Sequence, residues 1–223
     1  MTELPLCSII TPTWRRHDLL FDRCVPGVQA QEYPKVEHII VSDGPDPELA
    51  EKFRSSMPAT DCQNIRQGRN HPVWYYELPR HEPGAHWGTY ARLLGIEMAS
   101  GDLIGYCDDD DALRPEHVAK LAAALAEHPE AAWAYSHMAS HRPPEGADPV
   151  TEIGWDQPSC GSIGTPMLMH RRSALEHGTW GPPSDFEDWE LANRWLHAGL
   201  GYVKVEEVTV DVWPSLFFGG WVS

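Results

Sequence analysis

Apolar residues fall into short β-branched runs that alternate with stretches of helical period. Leu6–Thr11 is the first such run, stopped by Pro12, and reads as a strand. A helix is expected from Asp18 to about Val25, with Pro26 and Gly27 interrupting it before Val28–Gln31. Val36–Ser42 is the second strand and ends on Asp43-Gly44-Pro45-Asp46; a helix follows from Pro47 to Met57. Residues 58–72 give no clear pattern, and Val73–Leu78 reads as a third strand. Trp87, Ala91, Leu94 and Met98 recur at helical spacing, predicting a helix over 87–99. Leu103–Cys107 is then a buried strand, Pro115–His128 an alanine-rich helix and Ala132–Met138 another strand. This alternation predicts an α/β fold with a doubly wound, mostly parallel sheet and helices on both faces.

The texture changes after residue 140. Proline, glycine and acidic residues dominate 141–165, where a long loop or short hairpin is expected. Met167–His170 reads as a short strand, Arg171–His177 as a short helix, Glu187–His197 as a clear helix and Val203–Val212 as a strand or hairpin. The apolar tail Leu216–Trp221 must pack somewhere. The whole reads as one continuous domain, with residues 1–112 as one half and 113–223 as the other.

The run Asp108-Asp109-Asp110-Asp111 lies at the C-terminal end of a predicted strand, where open α/β sheets bind ligands. In an extended chain Asp108 and Asp110 share one side. Two carboxylates about 4 Å apart repel by roughly 4 kcal/mol at an effective dielectric near 20. A helix N-terminus returns only about 0.3–1 kcal/mol per charge. A hard divalent cation, Mg²⁺ or Mn²⁺, offsets far more. The plainer alternative is a solvated acidic turn, with Asp111 helping to cap the next helix.

Composition narrows the partners. A formal charge of −16 argues against nucleic acid or an anionic membrane as a partner held by bulk electrostatics. A phosphate-bearing ligand therefore needs a local cation. Five cysteines without a CxxC pair leave at least one thiol unpaired, which suits a reducing, cytoplasmic setting. No signal peptide and no run approaching 18 apolar residues is visible. A homo-oligomer is left open.

Three loops after predicted strands carry the candidate chemistry: Thr11-Pro12-Thr13-Trp14-Arg15, Asp43-Gly44 and the aspartate run. A fourth cluster, Asp185–Leu191, begins a helix. From Leu6 to Leu200 the ordered set resembles the family 2 glycosyltransferases with the GT-A fold. The resemblance rests on the strand leading to Pro12-Thr13-Trp14, on Gln29–Pro34 before Ile39–Gly44, and on Ala91-Arg92 with Gly95. It continues in Ala99-Ser100-Gly101-Asp102, Asp108-x-Asp110-Asp111 and Pro115, and ends in Glu187–Leu191 with Arg194. The chain departs from the family at Pro45, where Ser is usual, and at Leu93, where Asn is usual.

The resemblance implies a metal-dependent, inverting enzyme that moves a sugar from a UDP- or dTDP-sugar to a saccharide or other hydroxyl acceptor. It implies that Asp43 accepts a hydrogen bond from a pyrimidine N3–H, with Pro12, Thr13 and Arg15 lining the base and ribose. Arg92, Asp108 and Asp109 would complete the nucleotide site, Asp110 would bind Mn²⁺ or Mg²⁺, and Asp188 or its neighbour Glu187 would be the general base. Residues 1–112 would then hold the nucleotide-sugar and 113–223 shape the acceptor site. Each residue also has a plainer role: Asp43 as a turn residue, Arg92 as a solvated helix charge, and Glu187 and Asp188 as first-turn acids. His81 and His86 are weak metal-ligand candidates against a solvated loop. Of the ten tryptophans, six fall in the second half (Trp155, Trp180, Trp189, Trp195, Trp213 and Trp221), and one or two are expected to reach an acceptor. A nucleotidyltransferase is the rival enzyme, disfavoured because no glycine-rich loop with a lysine follows the first strand. A non-catalytic nucleotide-sugar or saccharide-binding module is the other alternative.

Overall fold

The computed structural model describes residues 3–55, 71–81, 88–141 and 150–213. Its strands are β1 (Cys7–Thr13), β2 (Val36–Ser42), β3 (Val73–Glu77), β4 (Leu103–Tyr106), β5 (Ala112–Leu113), β6 (Ala131–Ser140), β7 (Thr151–Ile153), β8 (Leu168–Arg171) and β9 (Gly201–Val212). They form one mixed sheet in the order β3-β2-β1-β4-β8-β6-β9-β5, with β7 on the free part of β6. The β3-β2-β1-β4 half is parallel. Past β4 the strand directions become mixed: β8 is antiparallel to both β4 and β6, while β9 runs parallel to β6.

The helices are α1 (His17–Leu19), α2 (Val25–Gln29), α3 (Pro47–Ser55), α4 (Thr89–Met98), α5 (His117–Glu127) and α6 (Glu187–His197). Alternation along β1 sends Cys7 and Ile9 to one face and Ile10 to the other. The first face packs against Leu49 and Phe53 of α3 and Val118, Leu121 and Leu125 of α5. The second packs against Ala91 of α4 and Leu191, Ala192 and Trp195 of α6. Helices therefore cover both faces, as expected. Gly95 lets α4 lie directly on β1, because a Cβ there would stand 2.4 Å from Cγ2 of Ile10.

Three expectations are corrected. Pro12 does not stop β1, which pairs with β2 as far as Thr13↔Ser42. The β4 partner has already ended at Ile10↔Tyr106, and the nitrogen of Pro12 faces that vacated side, so no ladder bond is lost. Pro26 does not break the second helical segment. A π turn, Leu20–Cys24, joins α1 to α2 with right-handed helical backbone on both sides, and the chain stays helical through Pro26, which follows that irregular turn directly. The short strand β5 intervenes before α5, which begins at His117 rather than Pro115. Val203–Val212, read as a strand or hairpin, is a strand, part of the twelve-residue β9. The expected short hairpin after residue 140 survives as the β6–β7 pairing. His86, the tail Leu216–Trp221 and most of 58–72 lie outside the described residues.

Candidate active site

The sheet order turns at β1, whose neighbours β2 and β4 are reached by connections of opposite direction, so the carboxyl ends of β1 and β4 flank a crevice. The aspartate run occupies its β4 side. It is a turn and not the extended segment anticipated, since the Asp111 N–H donates to the Asp108 carbonyl at 3.1 Å. Strict alternation of faces therefore does not apply, and Asp109 and Asp110 point together at one cation.

That cation is Arg16. Its guanidinium reaches Asp109 at 2.9 Å and Asp110 at 2.5 Å. Thr13, at the end of β1, donates its hydroxyl to the other Asp109 oxygen at 2.8 Å. Burial pushes the Asp109 carboxyl up to about 7, against the opposing pull of Arg16 and Thr13. Burial also raises Asp110; Arg16 opposes this and the charge of Asp108 adds to it. Asp111 is buried and accepts the Trp213 N–H at 3.1 Å. It therefore ties the end of β9 to the turn and does not cap α5. Arg23 donates to the Asp110 carbonyl at 3.0 Å and lies over the Trp213 ring.

A second cation joins the halves of the molecule. Arg92 of α4 is buried, pairs with Asp108 at 2.6 Å and also pairs with Glu187 at the start of α6. Thr89 donates its hydroxyl to the other Glu187 oxygen. Burial works against the Arg92 charge, but Asp108 and Glu187 outweigh it and hold the guanidinium above its ordinary value. Arg92 is thus no solvated helix charge, and its guanidinium also covers the Trp180 ring. Burial raises Glu187, against Arg92 and Thr89. Asp188 differs: burial pushes it up to about 7, while the Trp189 N–H at 2.7 Å and Arg92 pull the other way.

The Asp43 side of the crevice is built from β1, β2 and β3. Asp43 is buried, and His81 Nδ1 lies 2.9 Å from its carbonyl and 3.1 Å from its carboxylate. The His81 ring stacks on Trp14, with centroids 4.6 Å apart and planes 7° from parallel. Gly44, at φ 138°, makes this possible, because a Cβ there would stand 2.5 Å from the His81 nitrogen and 2.9 Å from the Trp14 ring. Arg15 also lies over Trp14, in a left-handed conformation with φ 55°. Pro12 is buried, and α4 begins against it, since a Cβ on Gly88 would stand 2.5 Å from the Pro12 Cβ.

The structure therefore gathers Thr13, Asp108, Asp109, Asp110, Arg92, Glu187 and Asp188 around one crevice, with Asp43 at its flank. Arg16 was missed: the Arg15-Arg16 pair signalled a cation, but only the backbone turn at Arg15 shows which of the two faces the aspartates. Trp180 and Trp195 are core residues, while Trp155, Trp189 and Trp213 are half-buried. Asp108 lies near enough for its charge to be felt at Asp110. This is a hard oxygen-donor set, suited to Mg²⁺ or Mn²⁺ when phosphate oxygens and water fill the remaining positions. Among the described residues no three His, Cys, Asp or Glu side chains converge on a metal by themselves.

The glycosyl transferase family 2 model matches residues 8–174, which run from β1 through β8 and include the crevice from Thr13 to Asp111. The chain belongs to this family. Membership sets the nucleotidyltransferase alternative aside. Its fold matches that of solved GT-A enzymes. TarS from S. aureus, residues 1–349 in complex with UDP-GlcNAc, superposes with a TM-score of 0.66 at 16% identity, covering 98% of this chain and 62% of that one. The mannosyltransferase PcManGT from Pyrobaculum calidifontis, in complex with GDP-Man and Mn²⁺, gives 0.66 at 15% identity, covering 99% and 59%. A longer form of TarS gives 0.65 at 15% identity, covering 94% and 37%. The chain thus spans less than two thirds of the length of each of these proteins. Among its described residues no helix is long and apolar enough to cross a membrane.

Proposed function

We propose that this glycosyltransferase moves a sugar from a UDP- or dTDP-sugar to a hydroxyl acceptor, with inversion at the anomeric carbon and dependence on a divalent cation. The observation that carries this reading is the chain of contacts Asp110–Arg16–Asp109 and Asp108–Arg92–Glu187. Through Arg92 it links the acidic turn to the first turn of α6. Residues 1–112 hold the donor in this reading and the remainder shapes the acceptor side.

Asp110, with Asp108 beside it, would hold Mn²⁺ or Mg²⁺. When bound, such an ion neutralises the charge that develops on the departing nucleoside diphosphate. Asp43 accepts the N3–H of a pyrimidine, with Pro12, Thr13 and Arg15 lining the base and ribose. Asp188 takes the proton of the acceptor hydroxyl as its oxygen attacks the anomeric carbon, a role typically worth 10²–10⁴-fold. Glu187 is less suited to that role, because Thr89 and Arg92 engage its two carboxylate oxygens. A raised carboxyl near 7 suits Asp188 to accept a proton at neutral pH.

A thermal-shift panel of UDP-, dTDP- and GDP-sugars, each with and without Mn²⁺, tests the donor assignment, since stabilisation follows affinity. The expected result is stabilisation by pyrimidine donors that requires the metal. Sugar transfer followed by NMR of the product anomer then tests inversion.

A further inference from the structure

We propose that Arg16 is the resident counter-cation of the aspartate turn, occupying Asp110 until a divalent ion displaces it. The inference rests on the metal-site reading above and concerns what guards that site. Four consecutive carboxylates crowd one turn, and Arg16 alone holds two of them through separate guanidinium nitrogens, at 2.9 Å and 2.5 Å.

The anchoring shows which partner moves. The Asp109 and Asp110 side chains are 5% and 14% exposed, against 41% for Arg16. Asp109 is fixed by the Thr13 hydroxyl, Asp110 by Arg23 on its carbonyl, and Asp111 by the Trp213 N–H. Arg16 reaches in from the surface on a flexible side chain. Arg92 is the contrasting case: it is 2% exposed, held between Asp108 and Glu187.

The displaced guanidinium also has a place to go. Arg16 borders an open cavity of about 360 Å³ that Arg15, His17, Asp18, Glu48 and Lys52 also line, with the exposed Asp18 3.9 Å from Lys52 and the exposed Glu48 3.6 Å from His17. Arg16, already 41% exposed, can therefore turn outward toward solvent and these carboxylates without burying an unpaired charge. A donor's phosphates offer it a further partner. Metal binding to the free chain is consequently opposed by Arg16, and the opposition falls when a nucleoside diphosphate is present.

The test measures Mn²⁺ binding to the full chain without nucleotide, from the electron paramagnetic resonance signal of free Mn²⁺. Arg16→Gln is expected to bind Mn²⁺ about three- to tenfold more tightly than wild type, as expected for releasing a part-exposed ion pair of about 1 kcal/mol. Arg16→Lys keeps the charge and should stay near wild type. With UDP added, the advantage of Arg16→Gln should shrink. A residue needed only for local structure would shift affinity the other way. Unchanged or weaker Mn²⁺ binding by Arg16→Gln, with an unchanged melting temperature, overturns the proposal. Asp110→Asn separates the two readings: if it binds Mn²⁺ like wild type, Asp110 is not a metal ligand and the site assignment itself fails.

Discussion

Arg92 and Glu187 form a buried ion pair that fastens α4 to the first turn of α6, and Asp188, the next residue along, is left outside that pair. Adjacent helical residues point about 100° apart. One acid of the pair is therefore held by a cation and the other is available for chemistry. Removing one partner of a buried pair typically costs about 3–5 kcal/mol. Glu187→Ala is accordingly expected to lower the melting temperature by roughly 10 °C, measurable by calorimetry. Asp188→Asn should leave the melting temperature intact or raise it while lowering kcat by at least roughly 10²-fold, with donor affinity little changed. If Asp188→Asn keeps normal turnover and Glu187→Gln abolishes it, the roles are reversed.

The pH dependence follows from Asp188. A base acts when ionised, and burial pushes this carboxyl up to about 7. The rate should therefore rise through about pH 7 and fall tenfold per unit below it, a profile that Asp188→Asn abolishes. The sign for stability is opposite. The folded chain keeps a proton that an unfolded Asp, near 3.9, releases, so Asp188 contributes stability at low pH that is lost as pH rises from about 4 through 7. Asp188→Asn should consequently gain a few degrees in melting temperature at pH 8 and little at pH 4. Equal shifts at both values would count against a raised Asp188.

Metal dependence is expected at the donor step. Asp110→Ala should leave the fold intact, remove nearly all activity and make donor binding insensitive to EDTA. Calorimetric titration of UDP with and without EDTA decides the matter, and equal affinities for the wild-type chain would exclude the metal site.

Base selectivity is expected to reside in Asp43. Asp43→Ala should weaken UDP binding by roughly tenfold, the loss of one charge-assisted hydrogen bond, and should spare Mn²⁺ binding. A clear preference for GDP- or CMP-linked donors would sink the pyrimidine assignment.

Much of the frame was legible in the chain because its signals are local. Val36–Ser42 and Glu187–His197 were bounded to the residue, since a β-branched run and an apolar stripe report the period of their own backbone. The aspartate run at the end of β4 marked the crevice for the same reason. Contacts between distant segments were not legible. Which arginine of the Arg15-Arg16 pair meets the aspartates depends on a left-handed turn at Arg15. Whether Glu187 or Asp188 is engaged depends on where α4 places Arg92, ninety-five positions away. Pro12 could remain in its strand only because β4 ends early. Sequence alone determined the elements and the chemistry available at their ends. Tertiary structure decided which charges neutralise one another, because an ion pair depends on distance and burial, and neither is written in the order of residues.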